Sequence, residues 1–128
     1  MRLRLFPTFQ APSEARRLLE PLAAQLDEDS LADVRAVVSE LVAISVTHGA
    51  TKPIHISLTL SEGSIEGIVY DDGPGARAIA RARELRDDSL VLRIVELLVD
   101  DWGTNPRRTR IWFRLGVRPR EPTRPISG

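Results

Sequence analysis

Two acidic residues lie in patterns that could do chemistry. Glu40 is the one carboxylate within the mostly apolar stretch Val37–Gly49, and Asp71 opens the run Asp-Asp-Gly-Pro-Gly. A carboxylate can serve as a general base or orient an attacking oxygen. It can also accept a hydrogen bond from an amino group, and Gly73 and Gly75 would let a flat group approach the backbone closely. A solvated helix glutamate and an ordinary acidic turn remain open as alternatives.

The helix that carries Glu40 must place it away from the core. Apolar residues recur at helical spacing and form one broad stripe, comprising Leu31, Val34, Val38, Leu41, Val42 and Val46. At about 100° per residue, Glu40 points almost opposite to this stripe. Ile44, one turn later, lies beside Glu40, and Gly49 is expected to end the helix. The pattern predicts a helix with a core side and a second side that offers a carboxylate next to an aliphatic group.

The remaining elements suggest an α+β protein. Alternating residues predict strands over 2–6, 53–60, 65–70 and 110–115, the first near a sheet edge and the middle two forming a hairpin. A helix is expected from Pro12, capped by Ser13 and kinked or broken at Pro21. Residues 76–86 could form a short helix or a mobile segment. A second long helix is expected from Ser89 to Trp102-Gly103, so strands and helices would segregate into two layers.

Composition narrows the class of protein. The 128 residues suggest one domain, here residues 1–116, and residues 117–128 read as a disordered tail rich in proline and arginine. Eighteen basic and eighteen acidic residues cancel, so charge predicts neither a nucleic-acid nor a membrane partner. There is no cysteine, and no apolar run approaches the ~20 residues that span a bilayer. We therefore expect a cytoplasmic protein.

The run Val-Val-Ser-Glu-Leu-Val at 37–42, then His48-Gly49, together with the Asp-x-Gly-x-Gly pattern at 71–75, resembles the GHKL ATPase superfamily. Within it, the chain is most similar to bacterial anti-sigma-factor serine kinases and their regulatory relatives. The resemblance covers about residues 2–116. It implies a two-layer Bergerat-type sandwich, with a mixed, mainly antiparallel sheet covered on one face by helices. It also implies Glu40 at the position of the catalytic base, and Asp71, Gly73 and Gly75 at the adenine-binding box.

Three positions depart from the family pattern. Ile44 replaces the asparagine whose oxygen would hold magnesium, and Ser45 points about 100° away. Ser89-Leu90-Val91 replaces a Gly-x-Gly phosphate cradle, behind the acidic pair Asp87-Asp88. These residues suit a helix N-cap better than a triphosphate. Arg110 falls near a threonine common in relatives. His48 and His55 have no third partner at metal spacing, so no metal site is expected.

Two functions from different classes follow. The first is an anti-sigma-factor-like regulator that binds a sigma factor, a STAS-domain anti-sigma antagonist or both, with weak or no ATP binding, no cofactor expected and no kinase activity. It could form a homodimer through its edge strand. The alternative is an active serine kinase that uses ATP and magnesium to phosphorylate a STAS partner, with Glu40 as base and Asp71 on adenine. A detached histidine-kinase catalytic domain is less consistent with the short segment between Gly75 and Ser89.

Overall fold

The structure is a computed structural model that describes residues 1–85, 92–105, 107 and 109–121. The predictions for Asp87, Asp88, Ser89, Leu90 and Val91 lie outside the described residues, as does the predicted tail from residue 122 onward.

A five-stranded sheet forms one layer, with the strands in the order β1-β2-β3-β5-β4. The strands are β1 Arg2–Leu5, β2 Ile54–Ser61, β3 Ser64–Tyr70, β4 Asp101–Asn105 and β5 Arg110–Gly116. Each neighbouring pair is antiparallel. The predicted α+β fold with a mainly antiparallel sheet, its edge strand and its hairpin are therefore confirmed, and the described strands include no parallel pair that would make the sheet mixed.

Helices form the second layer. They are α1 Ala11–Leu18, a 3-10 helix Glu20–Ala24, α2 Glu28–Thr47, α3 Pro74–Leu85 and α4 Arg93–Leu98. The break predicted at the proline of the 3-10 helix is confirmed. The region left open as a helix or a mobile segment is helical, as α3. None of the helices in the described part of the chain is long and apolar enough to cross a bilayer.

The first helix begins earlier than the sequence suggested. Its N-cap is Gln10, which makes no side-chain capping bond, and Pro12 lies in the first turn. Ser13 is therefore inside the helix and does not cap it. Proline suits the first turn because the amide it lacks would have no partner there.

Strand β4 was not predicted. Trp102 and Gly103 lie within it and do not end a long helix, since α4 stops at Leu98 and Val99 is already extended. The amide of Asp100 donates to the Arg114 carbonyl at 2.9 Å, which starts the pairing with β5. Pairing with β5 thus makes this segment a strand although its own residues have low strand propensity.

The core lies between the two layers. The predicted stripe of α2 is confirmed at Val34, Val38 and Leu41, which are fully buried, although Val46 is only partly so. This stripe shares one apolar cluster with sheet residues such as Val69 and Phe113. Burying each such side chain stabilises the fold by about 1.5–3 kcal/mol, so α2 is a firmly held platform.

Gly67 gives the first test of this packing. It pairs with Phe113 in the sheet, and a Cβ at Gly67 would clash with the buried Phe113 ring. We expect Gly67→Ala to lower the free energy of unfolding in urea by roughly 1–3 kcal/mol through overpacking. Gly116→Ala is the control, because its Cβ would meet only the Asp100 carboxylate, at 3.2 Å. Equal losses in the two variants would contradict this packing.

The segment 117–121 lies against the start of α2. The Arg118 amide donates to Ser30 Oγ at 2.8 Å, and its Nε donates to Asp27 Oδ2 at 3.0 Å. Hydrogen bonds from Ser30 and the charge of Arg118 hold the pKa of Asp27 below its ordinary value. Arg118 is thus held at the start of α2, within the segment for which a disordered tail is predicted.

Candidate functional site

Helix α2 carries three residues of interest in its last two turns. Glu40 is half-buried, Ile44 is 5% exposed, and Ser45 is 1% exposed. Ile44 is thus part of the core cluster, although the sequence placed it on the side away from the main stripe. The reason is that α3 and α4 pack on α2 as well as the sheet, so α2 is covered over more than one face.

The Asp71 carboxylate organises the loop that follows β3. Its Oδ1 accepts a hydrogen bond from the Gly73 amide at 2.6 Å, and its Oδ2 accepts one from the Gly75 amide at 3.3 Å. Gly73 has φ of +116°, a conformation that glycine adopts without strain. Asp71 is 8% exposed. The carboxylate therefore fixes the turn into α3 with no outside ligand.

Gly75 brings this loop onto α2. A Cβ at Gly75 would lie 2.9 Å from Ser45 Oγ and 3.0 Å from Asp71 Oδ2. The Ser45 hydroxyl has no hydrogen-bond partner among the described residues, although it is buried. Buried hydroxyls usually have one. An unpaired hydroxyl therefore lies close to the Asp71 carboxylate, at the position where the family resemblance places adenine.

Thr109 is a site residue that the sequence reading missed. Its hydroxyl donates to the Asp71 carbonyl at 3.1 Å, and its φ is +60°, a strained value for a β-branched residue. The family resemblance places its threonine near Arg110. Arg110 lies opposite Tyr70 in an antiparallel pair. The residue before Arg110, Thr109, therefore lies beside the residue after Tyr70, Asp71.

Arg77 occupies the space above Gly73. A Cβ at Gly73 would lie 2.7 Å from Arg77 Cζ and 2.9 Å from Thr109 Cγ2. The room that this glycine leaves is thus taken by the chain's own side chains. Nearby, burial would raise the pKa of Asp72, but hydrogen bonds, chiefly from Thr51, and the charge of Lys52 lower it overall.

The described residues fit the two ends of a nucleotide differently. Asp71 and Ser45 supply a carboxylate and an unpaired hydroxyl, the kinds of group that pair with the polar edge of a base, although Gly75 is buried tightly against both. Ile44 offers no oxygen to a cation. Across the described ranges, no group of three histidine or acidic side chains could hold a metal ion. Position 44 therefore supplies no ligand to magnesium, and the polar groups of Asp71 and Ser45 lie at the other end of the site.

The contacts of His48, His55 and Gly49 are explained by the fold itself. His48 Nδ1 lies 3.0 Å from the Ile44 carbonyl oxygen, and His55 stacks on Tyr70. Gly49 has φ of +91° just after α2, as predicted for a helix end. Glu40 makes no hydrogen bond or ion pair with any residue in the part of the chain that the structure describes. The roles predicted for Glu40 and Asp71 stay predictions.

Comparison with known proteins gives a consistent picture. A model of the histidine kinase-like ATPase domain matches residues 8–115. The anti-sigma F factor of Geobacillus sp. (strain WCH70) is 31% identical over 90 residues, which cover 66% of this chain and 62% of that protein. The anti-sigma F factor of Bacillus subtilis (strain 168) is 30% identical over 115 residues, 79% of each chain. The match to the Geobacillus protein thus spans less than two thirds of that relative's length.

Proposed function

The chain belongs to the histidine kinase-like ATPase family, and from this premise we propose that it is an anti-sigma-factor-like regulator. It acts by binding a sigma factor, a STAS-domain anti-sigma antagonist or both, and it transfers no phosphate. The similarity to two anti-sigma F factors supports the class of partner. No cofactor is required for this function.

The observation that carries the proposal is the side chain at position 44. Phosphoryl transfer depends on neutralising charge on the phosphates, which a bound cation mainly supplies. Ile44 places an aliphatic branch, 5% exposed, one turn after Glu40. Glu40 could still accept a proton, but without a cation ligand at this turn the charge stabilisation is missing.

The Asp71 loop supports the same reading from the other end of the site. Both carboxylate oxygens already accept amide hydrogen bonds from their own loop. The turn into α3 can therefore hold its shape without nucleotide. A partner would meet a preformed surface, which lowers the entropy that binding costs.

A kinase is the second candidate, and one observation favours it. The buried Ser45 hydroxyl next to Asp71 is unpaired within the described residues, which suits a polar ligand at the base end. In that case Glu40 would take the proton from a serine of the STAS partner. The kinase would need an oxygen ligand for the cation in place of the one that Ile44 does not offer.

Partner binding with and without nucleotide separates the two candidates. We expect the purified chain to bind a sigma factor or a STAS-domain protein with a Kd that changes less than about twofold when magnesium and ATP are added. Glu40→Gln keeps the shape of the side chain and should leave this Kd unchanged. Transfer of labelled phosphate to the STAS protein that disappears in Glu40→Gln would contradict the proposal and establish the kinase.

A further inference from the structure

The face of the sheet that points away from the helices is open. Strand alternation turns Val69 and Phe113 toward the core and turns Ile68 and Trp112 to the other side. Trp112 is 40% exposed, the highest value among the large apolar residues of β3 and β5. We call this surface the outer face. It lies across the sheet from α2.

A fixed cluster of rings and one guanidinium occupies part of the outer face. The His55 and Tyr70 rings are stacked, with centroids 4.8 Å apart and planes 12° apart. Arg110 Cζ lies 5.3 Å from the centroid of the Tyr70 ring. Since β2 and β5 lie on opposite sides of β3, His55 and Arg110 flank Tyr70. Such stacking holds the Arg110 guanidinium in place before any ligand arrives.

A depression of about 240 Å³ lies beside this cluster. Its polar side chains include Arg2, Ser57 and Arg110, and no carboxylate lines it. Neither guanidinium forms an ion pair with a residue in the described ranges. Two unpaired cations at one concave site, with hydroxyl groups nearby, form a surface suited to carboxylates.

An apolar neighbour adjoins the basic depression. A second depression of about 260 Å³ shares Ile68 with the first and includes Trp112. A Cβ at Gly103 would lie 2.8 Å from the indole of Trp112, so the ring lies on the Gly103 backbone and leaves its other side to solvent. Glu66 and Asp101 also line this second depression.

We propose that the outer face binds an acidic peptide segment of a partner protein. Carboxylates of the segment lie between Arg2 and Arg110, and an apolar side chain next to them packs on Ile68 and Trp112. Tryptophan and arginine are the residue types that most often dominate binding energy at interfaces. The proposal goes beyond the proposed function, since it concerns the side of the sheet opposite to the Asp71 loop.

A single-stranded nucleic acid fits this face less well. Bases need an open ring face on which to stack, and Tyr70 is flanked on both sides by His55 and Arg110. Next to Trp112, the carboxylates of Glu66 and Asp101 would repel phosphates. A second copy that packed face to face through the same residues would bring its own Arg2 and Arg110 toward the basic depression, where like charges repel. Acidic peptide is therefore the occupant that the charges favour.

The test uses a short, dye-labelled glutamate-rich peptide with one leucine, titrated with the full chain and followed by fluorescence anisotropy. We expect the double variant Arg2→Gln with Arg110→Gln to weaken the Kd at least about tenfold, because charge-assisted hydrogen bonds are lost. Arg81→Gln with Arg93→Gln removes the same charge from exposed helix positions and should change the Kd less than about twofold. Circular dichroism checks that both variants fold.

A separate variant tests the apolar contact at Trp112. Trp112→Ala should weaken the leucine-bearing peptide and leave an all-glutamate peptide unaffected. The proposal is overturned if the wild type does not bind the peptide, or if both double variants lose affinity equally. It is also overturned if a labelled oligodeoxythymidine binds more tightly than the peptide. A dimer in sedimentation that Arg2→Gln with Arg110→Gln dissociates would assign the face to a second copy. No sigma factor or STAS protein is needed, so failure here leaves the proposed function standing.

Discussion

Replacing Ile44 by asparagine is expected to raise the affinity for magnesium-ATP at least about tenfold, equivalent to roughly 1.4 kcal/mol of binding free energy. The amide oxygen would supply the ligand that the aliphatic branch withholds. Ile44→Val is the matched control, because it changes the volume and keeps the site apolar. Both variants should also be made with Ser89→Gly and Val91→Gly, which restore the Gly-x-Gly pattern that the family resemblance implies. Calorimetry with magnesium, and again with EDTA, measures the effect.

The change has a cost in stability that the experiment must allow for. Ile44 is buried in the core cluster, so an amide there loses apolar burial and needs a new hydrogen-bond partner. We expect the free energy of unfolding to fall by about 2–4 kcal/mol, and titrations are best done at low temperature. A folded Ile44→Asn protein that binds magnesium-ATP no better than Ile44→Val would contradict our account of this position.

The second large effect is expected at Asp71. In Asp71→Asn one carboxylate oxygen becomes an NH2 group that faces an amide N–H of Gly73 or Gly75. Because this group is 8% exposed, the buried amide is left without an acceptor. We expect the free energy of unfolding to fall by about 1–3 kcal/mol, measured by urea unfolding.

The neighbouring residue provides the control for this prediction. Asp72 Oδ2 accepts a hydrogen bond from the Thr51 hydroxyl at 3.0 Å, and an asparagine there could still accept it. Asp72→Asn should therefore change stability much less than Asp71→Asn. If the two variants lose the same stability, the loop is not organised by the Asp71 carboxylate.

Parts of the fold follow directly from sequence patterns. The strict alternation of 54–58 fixes β2, and the apolar spacing from Leu31 to Val42 fixes the core side of α2, as the structure confirms. Strand β4 escaped prediction because Asp101–Asn105 holds Gly103 and polar residues, whose extended form depends on pairing with β5. Recognising β4 as a strand therefore required knowing that β5 lies beside it.

Some residues of the candidate site could likewise be predicted from the sequence, and others could not. Glu40 and the Asp71 loop could be found from motif spacing, since they resemble family boxes. Ser45 and Thr109 join the site only through tertiary contacts, from residues 26 and 38 positions away from Asp71 in the chain. The burial of Ile44 was likewise missed, because it depends on the packing of other helices against α2. Helical periodicity predicts one buried side of a helix and does not show how many other elements pack against the remaining sides.

Calorimetric titration of the wild-type chain with ATP, in magnesium and in EDTA, tests the central claim most directly. With Ile44 in place, we expect no magnesium-dependent binding in the micromolar range, and any weak binding should be equal in both buffers. A micromolar Kd that weakens at least about tenfold when EDTA removes the magnesium would show that the cation has ligands at this site, and would contradict the account.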